Sequence, residues 1–177
     1  MSEQNPHPDN AQRTGKVMII AGWIVGLGLL SLLFNNLLDK QQNPNQHVAA
    51  RMGNGGVHEV VLQRNRYGHY VANGEINGHT VEFLLDTGAT DVSVPQSLAD
   101  RLGLERGQPI TYDTANGSIT AYLTRIHDLR LGNIELQDIP ASINPYKGDN
   151  TILLGMSFLK HLEFTQRGDT LIIRQYP

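Results

Sequence analysis

One uninterrupted apolar run, followed by a series of short alternating ones, divides the chain. The run VMIIAGWIVGLGLLSLLF, Val17–Phe34, carries no charge, and Leu37 and Leu38 extend it. As a helix it rises about 27 Å, close to the roughly 30 Å hydrocarbon core of a bilayer. A buried core helix would show polar residues on some face. A cleavable signal sequence would have a shorter apolar region with a small-x-small site close behind it. Here the similar spot, Val48-Ala49-Ala50, lies well past the run. The pattern therefore predicts an N-terminal tail over 1–16 and an uncleaved transmembrane anchor over 17–38. Gly22 and Gly26 form a GxxxG pair within it, a spacing that lets two helices approach closely.

After the anchor the pattern breaks down. NNLLDKQQNPNQHVAARMGNGG, residues 35–56, is dominated by Asn, Gln and Gly, and it predicts a flexible tether over 39–56 with a reach of about 25 Å. Short strands then follow to the C-terminus, so residues 57–177 form the folded domain. His58–Leu62 and His69–Ile76 flank a polar connection containing Asn65 and Gly68, which suggests a hairpin. Asn77-Gly78, Asn116-Gly117 and Gly132-Asn133 are two-residue hairpin turns between apolar alternations. Pro95–Leu102, closed by Gly103, predicts a short helix, and Ser157–His161 a helical turn. Ile152-Leu153-Leu154 reads as a short buried strand, and Leu171–Arg174 as a final one. The domain is mostly β, with a barrel or sandwich its natural closure.

Composition narrows the chemistry. The chain has 177 residues, room for one domain and an appendage, and its net charge of -3 gives no electrostatic reason to expect nucleic acid as a partner. Cysteine is absent, which excludes disulfides, thiolate zinc sites and a cysteine nucleophile. The histidines (His7, His47, His58, His69, His79, His127 and His161) show no three-to-five spacing and no HExxH, so neither a metal nor another cofactor is expected. GxSxG, Walker and GxGxxG patterns are missing, and the Gly53–Gly56 cluster has neither the strand nor the Lys of a phosphate loop. Arg13 and Lys16 precede the anchor, while Lys40 and the more distant Arg51 follow it. That slight bias predicts a cytoplasmic N-terminus and a domain outside the cytoplasm. Asn116-Gly117-Ser118 is also a glycosylation sequon, read here as a turn that precedes a serine.

The informative segment is FLLDTGATDVSV, Phe83–Val94. An apolar strand runs into Asp86-Thr87-Gly88-Ala89, and an alternating strand resumes at Val92. Two carboxylates about 3 Å apart share one proton. Such a pair can take a proton from water and donate one to a peptide carbonyl. The acid must sit on rigid backbone that approaches its twin, and Gly88 allows the approach. The Thr87 hydroxyl can hold the geometry.

D-T-G-A after three apolar residues resembles the active-site signature of aspartic proteases, and the match extends through Thr90, Val92, Ser93 and Val94. Ile152-Leu153-Leu154-Gly155, followed by Met156–Leu159, resembles the apolar-apolar-Gly element and short helix behind the catalytic loop of retropepsins, with Leu154 and Gly155 as its structural residues. The likeness runs from about Val57 to Tyr176, and an anchored chain of this design is similar to the retropepsin-like proteases of bacterial envelopes. It implies a closed retropepsin-like barrel with one or two short helices, preceded by a single transmembrane helix. It also implies an aspartic endopeptidase in which Asp86 is catalytic and Thr87, Gly88 and Ala89 support the loop. The hairpin at Asn116-Gly117 would be a flap, with Thr111, Tyr112, Ala115, Asn116 and Gly117 as candidates to meet an extended peptide substrate.

One lobe supplies one such aspartate. Asp113-Thr114-Ala115 and Asp169-Thr170-Leu171 lack the glycine and the apolar strand, so two identical chains would have to meet about a two-fold axis and pair their Asp86 residues. The expected partners are thus a second copy, a protein or peptide substrate, and the membrane. The expected location is a bacterial inner membrane with the domain in the periplasm. Two other readings use the same sequence: a non-catalytic module that holds a peptide in the groove, and an envelope scaffold.

Overall fold

In the computed structural model, residues 10–114 and 117–177 are described, with side chains from Thr14 onward apart from that of Asn36. The chain divides into two units, Met1–Asp39 and Lys40–Pro177. Helix α1 (Asn10–Gln42) carries the apolar run. Its stretch Thr14–Gln42 contains an 18-residue window with a mean hydropathy of 2.5 and is long and apolar enough to cross a membrane. Val17, Trp23, Leu32 and their neighbours on it are exposed.

Among the described residues, the second unit has eleven strands in two sheets. The smaller has the order β1 (Ala49–Met52), β2 (His58–Gln63), β11 (Thr170–Gln175), β10 (Glu163–Arg167), all antiparallel. The larger runs β3 (Val71–Ile76), β4 (His79–Leu85), β9 (Thr151–Leu154), β5 (Val92–Pro95), β8 (Ile134–Asn144), β7 (Gly117–Leu131), β6 (Pro109–Thr114). Short helices α2 (Gln96–Ala99) and α3 (Met156–Leu159) follow β5 and β9. The larger sheet curls until β3 also meets β7, at Glu75↔Arg130 and Ile76↔Leu129. The smaller sheet stays separate, so the unit is mostly β as expected, but the strands do not join into one closed barrel. Alternation along the strands explains the core. Val60 and Leu62 of β2, Val81 and Phe83 of β4, and Ile152 and Leu154 of β9 point inward and are buried with Phe158.

The hairpin turns at Asn77-Gly78 and Gly132-Asn133 form as predicted, with Ile76 facing His79 and Leu131 facing Ile134. Both Asn77 (φ 49°) and Gly78 (φ 78°) are left-handed, as a tight turn of this hand requires. The Asn77 amide also donates to the Leu102 carbonyl at 2.8 Å and its oxygen accepts from Asp128 N–H at 3.0 Å. At Asn116-Gly117 the register is shifted: Thr114 pairs with Gly117, and Ala115 and Asn116 lie outside the described residues.

Two further expectations need correction. His58–Leu62 and His69–Ile76 are not a hairpin, because β2 pairs with β1 and β11 while β3 pairs with β4 and β7. Buried Asn65 redirects the chain between them, its side-chain oxygen accepting from both Tyr67 N–H and His69 N–H at 2.9 Å. Nor is 39–56 a featureless tether. Residues 49–52 form β1, and Asn43 and Asn45 are 3% and 4% exposed. Asn43 donates to Asn73 Oδ1 and Glu82 Oε2, at 2.8 and 3.0 Å. Asn45 donates to the carbonyls of Gln63 and Val71, at 2.9 and 2.7 Å, and accepts from Gln63 N–H at 2.7 Å. Asparagine-rich composition reads as linker, yet the Asn45 amide serves as a backbone surrogate that joins the end of β2 to the start of β3, and the Asn43 amide ties β3 to β4 through their side chains.

Asn45→Ala is accordingly expected to destabilise the domain by about 3 kcal/mol, since buried backbone groups at Gln63 and Val71 lose their partners. Urea unfolding of this variant against Gln46→Ala measures it, and equal midpoints would contradict it.

Candidate active site

Asp86 stands where β4 ends. Its strand runs parallel to β9, with Leu85 opposite Leu154, and Asp86 N–H donates to the Leu154 carbonyl at 3.2 Å. The chain then turns back on itself. Gly88 N–H donates to Asp86 Oδ1 at 2.9 Å, and Ala89 N–H to the Asp86 carbonyl at 3.2 Å. When it resumes as β5, Ser93 pairs with Leu153, so β9 lies between the two arms of the loop.

The backing of the loop explains Gly155. A Cβ there would lie 2.2 Å from the Asp91 carbonyl oxygen and 2.7 Å from that of Ala89. This closeness lets Met156 N–H donate to the Ala89 carbonyl at 2.8 Å and Ser157 N–H to that of Thr90 at 2.9 Å. Buried Ser157 completes the brace by accepting from Val92 N–H at 3.0 Å through its hydroxyl. Leu154 and Gly155 are buried behind the loop, Asp86 and Ala89 are half-buried, and Thr87 and Gly88 are exposed.

Two recesses border Asp86. One, of about 380 Å³, is a cleft walled by Gly88–Asp91 from the loop and by Tyr112, Thr114 and Ile119 from the β6–β7 hairpin. The other, of about 420 Å³, is framed by Tyr70, Leu85, Leu159, Phe164 and Leu171. Of the flap candidates, Tyr112 lines the cleft. Thr111 is exposed and does not line it. Gly117 is exposed at the hairpin's end. Ala115 and Asn116 lie outside the described residues. Among those residues, no group of three or more His, Asp or Glu side chains is placed to hold a metal ion.

Sequence reasoning missed Asp91. The Tyr112 hydroxyl donates to Asp91 Oδ2 at 2.5 Å, across 21 positions of chain. No local spacing announces such a bond; the only hint was an unassigned acid inside the D-T-G-A-T-D run. Burial, and then Asp91, pushes the Tyr112 phenol up to about 12. A phenol held above its ordinary value contributes stability that is complete below about pH 10 and is lost as pH rises through about 12. Spectrophotometric titration should therefore show one tyrosine ionising near pH 12. Asp91→Asn should bring it partway down, because burial remains; an unshifted curve would remove Asp91 as a cause.

The family described as "gag-polyprotein putative aspartyl protease" matches residues 72–161. An uncharacterized protein from the cobV 5' region of a Sinorhizobium species is 33% identical over 67% of this chain and 53% of its own length. An uncharacterized protein of Rickettsia prowazekii is 29% identical over 68% of this chain and 52% of its own. The chain thus spans about half the length of the curated relatives it matches. The crystal structure of a retropepsin-like aspartic protease from Rickettsia conorii superposes with a TM-score of 0.58 at 28% identity, covering 72% of this chain and 95% of that one.

Proposed function

Because this chain belongs to the retropepsin-like aspartyl protease family, we propose that it is an aspartic endopeptidase whose active form pairs Asp86 with the Asp86 of a second copy. The carrying observation is the Asp86 carboxylate, half-buried, braced on rigid backbone and bordered by a cleft. The other acids of the cleft are engaged elsewhere: Asp91 accepts from Tyr112, and Asp113 from the Ser118 hydroxyl at 2.6 Å. Exposed Phe164 on β10, an edge strand paired through β11 on one side, lines the apolar recess at Asp86 and supports closure of this side by another copy.

In the pair, the ionised carboxylate takes a proton from water as its oxygen attacks the peptide carbonyl, and the protonated carboxyl donates to the carbonyl oxygen. Collapse of the tetrahedral intermediate breaks the C–N bond, the leaving amine takes a proton, and one proton again remains between the acids. Thr87, Gly88 and Ala89 hold the loop, with Gly88 N–H fixing one Asp86 oxygen. The substrate is a peptide or protein segment in extended form, lying between Asp86 and the β6–β7 hairpin. Helix α1 serves as a single-pass anchor, with the domain in the periplasm of a bacterial inner membrane; the charge bias across the span supports that direction. Parallel anchors would raise the local concentration of the partner copy.

The test is turnover of a diverse peptide library by the full chain in detergent, together with its mass in solution. Peptides that bind and stay intact would favour a non-catalytic module, and full-rate cleavage by a strict monomer would overturn the paired mechanism.

A further inference from the structure

Among the described residues, β6 is an edge strand bonded to β7 alone, so the β6–β7 hairpin is attached to the domain along one side. Thr111, Asp113, Thr114, Gly117 and Ser118 are exposed, so little packing holds this part of the hairpin at any particular height. The exceptions are Ile119 and, facing it, Tyr112, both half-buried, and of the two Tyr112 carries the hydrogen-bonding tip. Its half-buried ring reaches into the cleft, and its hydroxyl meets Asp91 at 2.5 Å, in the short range of hydrogen bonds to an ionised acceptor. The acceptor is on firm ground. The Asp91 carbonyl is packed against Gly155, and the next N–H, of Val92, is bonded to the Ser157 hydroxyl. Tyr112 and Asp91 both wall the cleft that contains Asp86.

We propose that Tyr112 and Asp91 form a latch that fixes the hairpin over Asp86, making them positioning residues for an extended peptide entering the cleft. The proposal rests on the peptidase reading for its substrate but not for its geometry. A latched hairpin is ordered before substrate arrives, so the ordering cost is not charged against binding.

Tyr112→Phe keeps the ring and removes the donor. It is expected to raise KM about ten-fold with kcat within about two-fold, the effect of one hydrogen bond to a charged group. Asp91→Ala should do the same, and adding Tyr112→Phe to it should change nothing further. Asp91→Asn keeps an acceptor oxygen and should restore KM to within about three-fold of the wild type. Amide hydrogen exchange of the full chain gives a readout independent of turnover: both latch-breaking variants should speed exchange at Thr111–Thr114 while leaving Phe83–Asp86 unchanged. Unchanged exchange in the hairpin, or additive KM effects in the double variant, would overturn the latch. A wild-type chain that cleaves nothing would sink the peptidase reading, and the exchange result would still decide the latch.

Discussion

Replacing Asp86 with Asn should lower kcat/KM for peptide cleavage by more than about 10⁴-fold, because an amide can neither take the proton from water nor give one to the carbonyl. The fold should survive, since Asn keeps the oxygen that accepts from Gly88 N–H. The thermal midpoint is therefore expected to stay within a few degrees of the wild type. A mixing experiment separates one acid from two. If wild-type and Asp86→Asn chains exchange freely at equal concentrations, a paired site leaves about a quarter of the activity of the same total chain, and a self-sufficient site leaves about half. Appreciable hydrolysis by the variant alone would count against Asp86 altogether.

The second large effect is expected at Gly155. In Gly155→Ala the added methyl would lie 2.2 Å from the Asp91 carbonyl oxygen, 2.7 Å from that of Ala89 and 2.8 Å from the Asp91 carbonyl carbon. All three are backbone atoms and cannot swing aside as a side-chain end would. Relief requires the loop to move off α3, which breaks the bonds from Met156 and Ser157 and displaces Asp86 with it. A loss of about 3 kcal/mol or more is expected on urea unfolding, with little activity in what remains folded. Gly88→Ala offers the contrast, because its Cβ would meet only the Asp86 Oδ1 atom, at 3.2 Å. That variant should keep most of its stability and lose activity through a displaced carboxylate. Equal unfolding midpoints for Gly155→Ala and the wild type would show that the brace is softer than the distances imply.

Asp86 was legible before any fold was seen, because its signals lie within a few positions of chain. Gly155 was reached through the family resemblance instead, since the Asp91 and Ala89 carbonyls that crowd it come from a distant part of the sequence. An apolar strand, an acid, a small turn and a resumed strand are local features, and so are the Asn77-Gly78 and Gly132-Asn133 hairpins. Strand β10 was missed because Glu163–Arg167 has no inward alternation, being mostly exposed at a sheet edge. Asn43 and Asn45 were misread because their burial depends on strands 18 to 39 positions away. Their composition alone is that of a spacer. Asp91 and Tyr112 share that difficulty, since the bond joining them crosses from a loop to another strand. Turns and strand ends are written locally, whereas polar side chains acquire partners only once sheets have stacked.

The position of β11 has a consequence for the time course of synthesis. It is the strand between β2 and β10, and Arg64, just past β2, meets Asp169, 105 residues further along. Leu171 and Ile173 also form part of the recess beside Asp86. A ribosome therefore makes the acid, and the loop that carries it, long before the strand that completes their surroundings. On the proposed endopeptidase reading, the nascent chain would lack a finished site, and so leave its neighbours uncut, until translation had passed Gln175.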